Sequence, residues 1–311
     1  MTNNLVTNTK YELQINAKDA VKAFDLLPIN DSTRADYKAR IGLYIDFINQ
    51  NGLNRNTLLD YRRYLDNRTD YSVSTKNKYF TSAKRYTGVL YTAGLLPVDI
   101  TKDISGKDLS GFKQDKKHKK EGLTNDEIQR LGNYLQSLAP TTSNLRLKAM
   151  LALFIYQGVR QIEVIRLDVT DLDLKNAKAY IRGKGRDDKE PIALHPYTVT
   201  ALSDYLIATN KKSGALFTSN SNNSFNERLT TRAIRKIIKN LLTQLEIDNS
   251  VHGFRHYFTT TMVKHYNGDL LAVAHYTRHK NLEMLQVYND AINAQADLPR
   301  YYSVFEGLAI C

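Results

Sequence analysis

One run of eight residues divides this chain. Lys113-Gln114-Asp115-Lys116-Lys117-His118-Lys119-Lys120 has no apolar side chain to anchor it, so it reads as a basic linker between parts that fold on separate cores. At 311 residues the chain is long enough for two such cores. The expected layout is a flexible N-terminus at 1–15, a helical domain at 16–112, the linker at 113–121 and a second domain at 122–311.

Before the linker, apolar residues recur at helical spacing and no strand pattern is evident. Ser32 or Thr33 caps a helix carrying Ile41, Tyr44, Ile45 and Ile48, which Asn51-Gly52 ends. A second helix is predicted over 57–65, and a third from near Ser74 to a stop at Gly94. After the linker, Thr124 and Glu127 form a capping-box pattern. The segment 145–157 reads as a helix apolar on most sides, broken by Gly158, and a short helix follows over 160–167. Strands are predicted at 171–174, 179–181 and 191–194, with Gly183-Lys184-Gly185 as a turn, and the rest reads mainly helical. The expected fold class is mainly α with a small β-sheet.

The charge balance bears on partners. Lys and Arg total 44 against 32 Asp and Glu, a net charge of +12. That favours a polyanion, of which nucleic acid is the commonest, with an anionic membrane or a solvated basic face as alternatives. Lys76, Lys78, Lys84 and Arg85 in the third helix, and Lys116, Lys117, Lys119 and Lys120 in the linker, are candidates for phosphate contacts; the plainer alternative is solvated surface. The single cysteine, Cys311, excludes an internal disulfide and a cysteine-based zinc site. Met1-Thr2-Asn3-Asn4 lacks the basic and apolar regions of a signal peptide, and the longest apolar stretch, near 150–155, is too short to span a bilayer. A cytoplasmic protein with no membrane partner is expected.

Residues suited to phosphodiester chemistry fall in the second half. Breaking such a bond needs cations on the non-bridging oxygens, a deprotonated nucleophile and a proton for the leaving oxygen. Arg160 and Arg255 supply forked, permanently charged donors. His252 and Arg255 lie three apart and share a helix face, with Phe254 and Phe258 as core anchors. His256 and His265 read as core or capping histidines. Lys184, between two glycines, suits a mobile hairpin tip that protonates a leaving 5′ oxygen; for this residue alone, ordinary turn chemistry is the stronger reading. Tyr288, one of 20 tyrosines, has a hydroxyl that attacks only with a base and cations nearby. His279 lies nine residues before it. Glu163, one helical turn after Arg160, pairs with an arginine, orients a histidine or makes a plain surface salt bridge. No P-loop, Gly-x-Gly-x-x-Gly or His-Glu-x-x-His pattern is present. Asp168, Asp171 and Asp173 alternate with Val169, Leu172 and Leu174, which fits a strand entry better than a metal site.

Taken together these segments resemble the tyrosine recombinase (phage integrase) family. The stretch from Gln157-Gly158-Val159-Arg160 through Glu163 to Leu167 resembles its first arginine box. Val251-His252-Gly253-Phe254-Arg255-His256 resembles its His-x-x-Arg box, and Arg278-His279 through Tyr288 resembles the box that ends in the nucleophile. Lys184 falls where the family's hairpin lysine falls. The resemblance implies a core-binding helical domain before an α+β catalytic domain. It implies that Tyr288 forms a 3′-phosphotyrosine, that Arg160 and Arg255 clamp the phosphate and that His252 is the base toward Tyr288. It further implies that Lys184 is the acid, that His279 donates to the phosphate and that Glu163 supports the cluster. It implies neither metal nor ATP. The expected partner is double-stranded DNA with an inverted-repeat site, bound by a tetramer that passes through a Holliday junction. The sequence names no accessory protein. Two departures stand out: Arg278 where the family usually has glycine, and Gln157 where threonine is common. The layout favours a simple two-domain member, like those of the Xer or Cre type. A type IB topoisomerase and a catalytically silent DNA-binding regulator are the alternatives.

Overall fold

Capping side chains set where most of the helices begin. The computed structural model describes residues 21–103, 105–113, 122–183, 188–221, 224–279, 281–304 and 306. The chain divides into two units, Met1–Lys116 and Lys117–Cys311.

The first unit holds α1 (Asp31–Lys38), α2 (Gly42–Asn51), α3 (Thr57–Asp66) and α4 (Val73–Thr92). The single helix expected after Ser32 is two helices. Its cap is Asn30, whose side chain accepts from the Thr33 backbone N–H. The chain tightens at 39–41, where the N–H groups of Arg40 and Ile41 both donate to the Tyr37 carbonyl. Gly52 ends α2 at φ 80°, and Ser72 caps α4. The core between these helices is aromatic. Tyr44 packs on Tyr61 with ring centroids 4.7 Å apart, and its buried hydroxyl is satisfied by Thr87 Oγ1 at 3.0 Å.

The second unit is built around α6 (Thr142–Gln157), which follows α5 (Asn125–Ser137). The capping box of Thr124 and Glu127 starts α5 as expected. Met150, Leu151, Leu153 and Phe154 bury different sides of α6, so it forms the centre of the core. Then come α7 (Gln161–Arg166), β1 (Leu172–Asp173), β2 (Lys178–Arg182) and β3 (Lys189–Ala193). The strands form an antiparallel sheet in the order β1-β2-β3, and Ala179, Ile181 and Ile192 face the core. The helices α8 (Pro196–Thr209), α9 (Thr231–Gln244), α10 (Val251–His265), α11 (Leu270–Thr277) and α12 (Glu283–Ser303) complete the unit. Phe254 stacks on Phe154 at 6.2 Å and fixes α10 against α6. The fold is therefore mainly helical with a small sheet, as the sequence indicated. No helix among the described residues is long and apolar enough to cross a membrane.

Gly158 is the hinge on which the site turns. It ends α6 in the left-handed conformation, φ 54°, and a Cβ built there would lie 2.2 Å from Phe258 Cδ1. Gly158→Ala is expected to cost about 2–4 kcal/mol, from left-handed strain and overpacking together. Denaturant unfolding checks this; a loss below about 0.5 kcal/mol would show that Phe258 moves aside freely.

Candidate active site

Two turns, at the end of α6 and at the end of α11, carry Arg160 and His279. Arg160 occupies the N-cap position of α7, where its own N–H donates to Glu163 Oε2 at 2.7 Å and its guanidinium to Glu163 Oε1 at 3.0 Å. The Glu163 side chain is fully buried, whereas that of Arg160 is 32% exposed. One carboxylate therefore closes the helix start and orients the arginine at its mouth.

Arg255 comes from the first turns of α10 and is buried. Its fork donates to two backbone carbonyls, those of Gly158 and Thr277. The first lies at the end of α6 and the second at the end of α11, so one side chain joins both turns. Burial, with Arg160 and Arg278 beside it, lowers the Arg255 guanidinium to about 9, which leaves it charged at neutral pH.

The histidine on the Tyr288 hydroxyl is His256. Its Nδ1 shares a hydrogen bond with Tyr288 Oη, and the His252 ring meets His256 edge-on with centroids 4.5 Å apart. By sequence alone His256 reads as a core or capping residue. Its spacing from His252, four residues on one helix face, was the signal that could have found it. Tyr288 packs against the small cluster of Val263, Val273 and Leu285. Burial raises its hydroxyl to about 12, against a smaller lowering by Arg255.

His279 follows directly. Thr277 Oγ1 donates to the Val273 carbonyl at 2.8 Å, so His279 Nδ1–H donates to Thr277 Oγ1 at 2.7 Å. Nε2 then carries a proton only in the charged ring. Burial, with Arg255, Arg160 and Arg278 adding to it, lowers the imidazole to about 4. The unfolded chain takes up this proton near 6.5. The stabilisation by neutral His279 is thus complete above 6.5 and is lost as pH falls toward 4. Between pH 7 and 5, His279→Asn should lose less melting temperature than the wild type; an equal loss in both proteins would contradict this burial.

The two departures in the sequence are structural members of the site. Arg278 adopts φ 57°, ψ 39°, a left-handed conformation that costs a non-glycine residue about 1–2 kcal/mol. Its side chain reaches Glu163. Gln157 Oε1 accepts from Thr198 Oγ1 at 2.9 Å, tying the end of α6 to α8. Lys184 lies outside the described residues, between β2 and β3 in sequence, as do Lys116, Lys117, Lys119 and Lys120 of the linker. Asp168 is paired with Arg228, and Asp171 with Lys189.

In the first unit the basic residues differ in availability. Lys76 donates to the Asp66 carbonyl at 2.6 Å. Lys84 pairs with Asp108 at 3.1 Å and donates to the Leu109 carbonyl. Both ammonium groups are engaged within the protein, whereas Lys78 and Arg85 are exposed.

The chain matches the phage integrase family over residues 121–295. The tyrosine recombinase XerD of Oceanobacillus iheyensis is 28% identical over 280 residues, covering 79% of this chain and 91% of the relative. The tyrosine recombinase XerC of a Roseiflexus species is 26% identical over 300 residues, covering 90% of this chain and 92% of the relative. Among solved structures, XerH site-specific recombinase bound to difH substrate superposes with a TM-score of 0.64 at 17% identity, covering 92% and 85% of the two chains. The Tn1549 transposon integrase with circular intermediate DNA gives 0.62 at 15% identity, covering 91% and 99%. At these identities the superpositions speak for the fold.

Proposed function

The chain belongs to the phage integrase family, and from that premise we propose that it is a site-specific DNA recombinase that cuts and rejoins strands through Tyr288. The observation that carries this reading is the clustering of Arg160, Arg255 and His256 about His279, with Arg255 acting on the Tyr288 hydroxyl and His256 hydrogen-bonded to it. Arg160 and Arg255 take the scissile phosphate, and their charge stabilises the five-coordinate transition state. Tyr288 Oη attacks phosphorus, its proton passes to a histidine, and the 5′ oxygen leaves with a proton that the resemblance assigns to Lys184. A phosphate beside His279 draws a proton onto Nε2 and gains a donor. The phosphotyrosine keeps the bond energy, so rejoining needs neither metal nor ATP. Tetramer assembly and a Holliday junction complete the proposal, with Lys78 and Arg85 as outlying phosphate contacts.

His256 is hydrogen-bonded to the Tyr288 hydroxyl, which makes it the better candidate to receive its proton. His256→Ala is expected to slow covalent attachment by about 10²-fold, and more than His252→Ala does. The reverse order would return the base role to His252.

Covalent capture tests the function as a whole. The protein is mixed in EDTA with DNA from around its own gene and denatured in detergent, and the attached DNA is sequenced. Adducts at one inverted-repeat site are expected. Adducts scattered over all sequences would point to a topoisomerase, and binding without any adduct to a silent regulator.

A further inference from the structure

Arg278 has no role in the chemistry outlined above, yet it is more deeply enclosed than Arg160, with only 10% of its side chain exposed. Its Nη2 donates to Glu163 Oε2 at 3.1 Å, and its Nη1 lies 3.4 Å from the Gln157 carbonyl and 3.3 Å from that of Tyr276. Its Nε is 3.9 Å from Glu190 Oε1 and has no hydrogen-bond partner among the described residues. Glu163 Oε2 also accepts the Arg160 backbone N–H. A single buried carboxylate is thus shared by two arginines 118 residues apart in sequence (278 − 160).

The backbone on either side is committed as well. The Thr277 carbonyl holds Arg255, and His279 is held by Thr277 Oγ1. Arg278 therefore sits in the middle of a three-residue turn whose neighbours hold two of the proposed phosphate ligands. Its left-handed backbone is a conformation that glycine adopts without strain, so the side chain must supply what glycine would not.

Charge gives the reason. Glu163 with Arg160 alone would form a closed, neutral pair, and the fork of Arg160 would be held on the carboxylate. With Arg278 on the other oxygen, the Glu163 carboxylate is shared between two guanidiniums, and Arg160, 32% exposed, keeps donors beyond the one Nη1 bond to Glu163. We propose that Arg278 is a positioning residue for strand cleavage: it balances Glu163 so that Arg160 stays available to phosphate, and it locks the 277–279 turn that presents His279. This inference rests on the functional reading above.

The test uses the full-length protein and the DNA captured above, with three readouts: non-covalent binding, melting temperature and the rate of Tyr288 attachment. Arg278→Gly suits the backbone and removes only the side chain. Its attachment rate is expected to fall on the order of 10- to 100-fold, with DNA affinity within about threefold of wild type. Guanidinium ion in the assay should restore part of the rate to Arg278→Gly and none to the wild type. Adding Glu163→Gln should also recover rate in the Arg278→Gly background, because the carboxylate that would hold the Arg160 fork is gone; such coupling is the mark of a shared interaction. Arg278→Lys, which keeps the charge, should fall between the two. An Arg278→Gly protein that attaches DNA as fast as wild type would overturn the proposal. So would one whose loss responds neither to guanidinium nor to Glu163→Gln. A wild type that forms no adduct at Tyr288 would overturn the functional reading itself, and this role with it.

Discussion

Tyr288→Phe should abolish covalent attachment to DNA, with a loss of roughly 10⁴-fold or more, while non-covalent binding is retained. The change removes one oxygen. The ring keeps its packing on Val263, Val273 and Leu285, and the lost bond to His256 is worth about 0.5–1.5 kcal/mol, too little to unfold the protein. The chemistry has no substitute. With the hydroxyl raised to about 12 by burial, only ~10⁻⁵ of it is ionised at neutral pH without help. The attack therefore depends on a base at the hydroxyl and on Arg255, whose charge lowers its pKa. Detergent-resistant adducts are counted with labelled DNA for both proteins. Adducts persisting in the phenylalanine variant would place the nucleophile elsewhere.

Arg255→Lys should be the most damaging of the conservative changes. The charge survives but the fork does not. Arg255 spans the carbonyls of Gly158 and Thr277, and a single ammonium on a flexible stem cannot hold both and a phosphate. One buried carbonyl left unpaired costs about 1–3 kcal/mol. The turns carrying Arg160 and His279 lose their common anchor, and one transition-state donor is gone. A fall in attachment rate of about 10²–10³-fold is expected, together with a lower melting temperature. A variant within about threefold of the wild-type rate would show that Arg255 serves packing alone.

The elements of the fold were legible because their signals are local. The capping box at Thr124 and Glu127, the stop at Gly158 and the alternation through Ala179 and Ile181 each act within a few residues, and each element formed where expected. The helix near Ser32 was misjudged because Asn30, Ser32 and Thr33 all suit a cap, and only the geometry chose Asn30. The Asp66 carbonyl and Asp108 also lay claim to Lys76 and Lys84, which composition offers as phosphate contacts. Nothing in the spacing of charges announces such a claim.

The sequence by itself determined the inventory of the candidate site: two forked cations, one of them sharing a helix face with His252, a tyrosine near a further histidine, and the turns that hold them. Residue type and short-range periodicity carry that information. The tertiary structure alone decided that His256 meets the Tyr288 hydroxyl and that Arg278 shares the buried Glu163. The Arg278–Glu163 bond joins residues 115 apart in sequence. Which side chains meet over such a separation depends on how α6, α7, α10 and α11 pack, because burial makes that shared carboxylate matter and packing alone creates the burial.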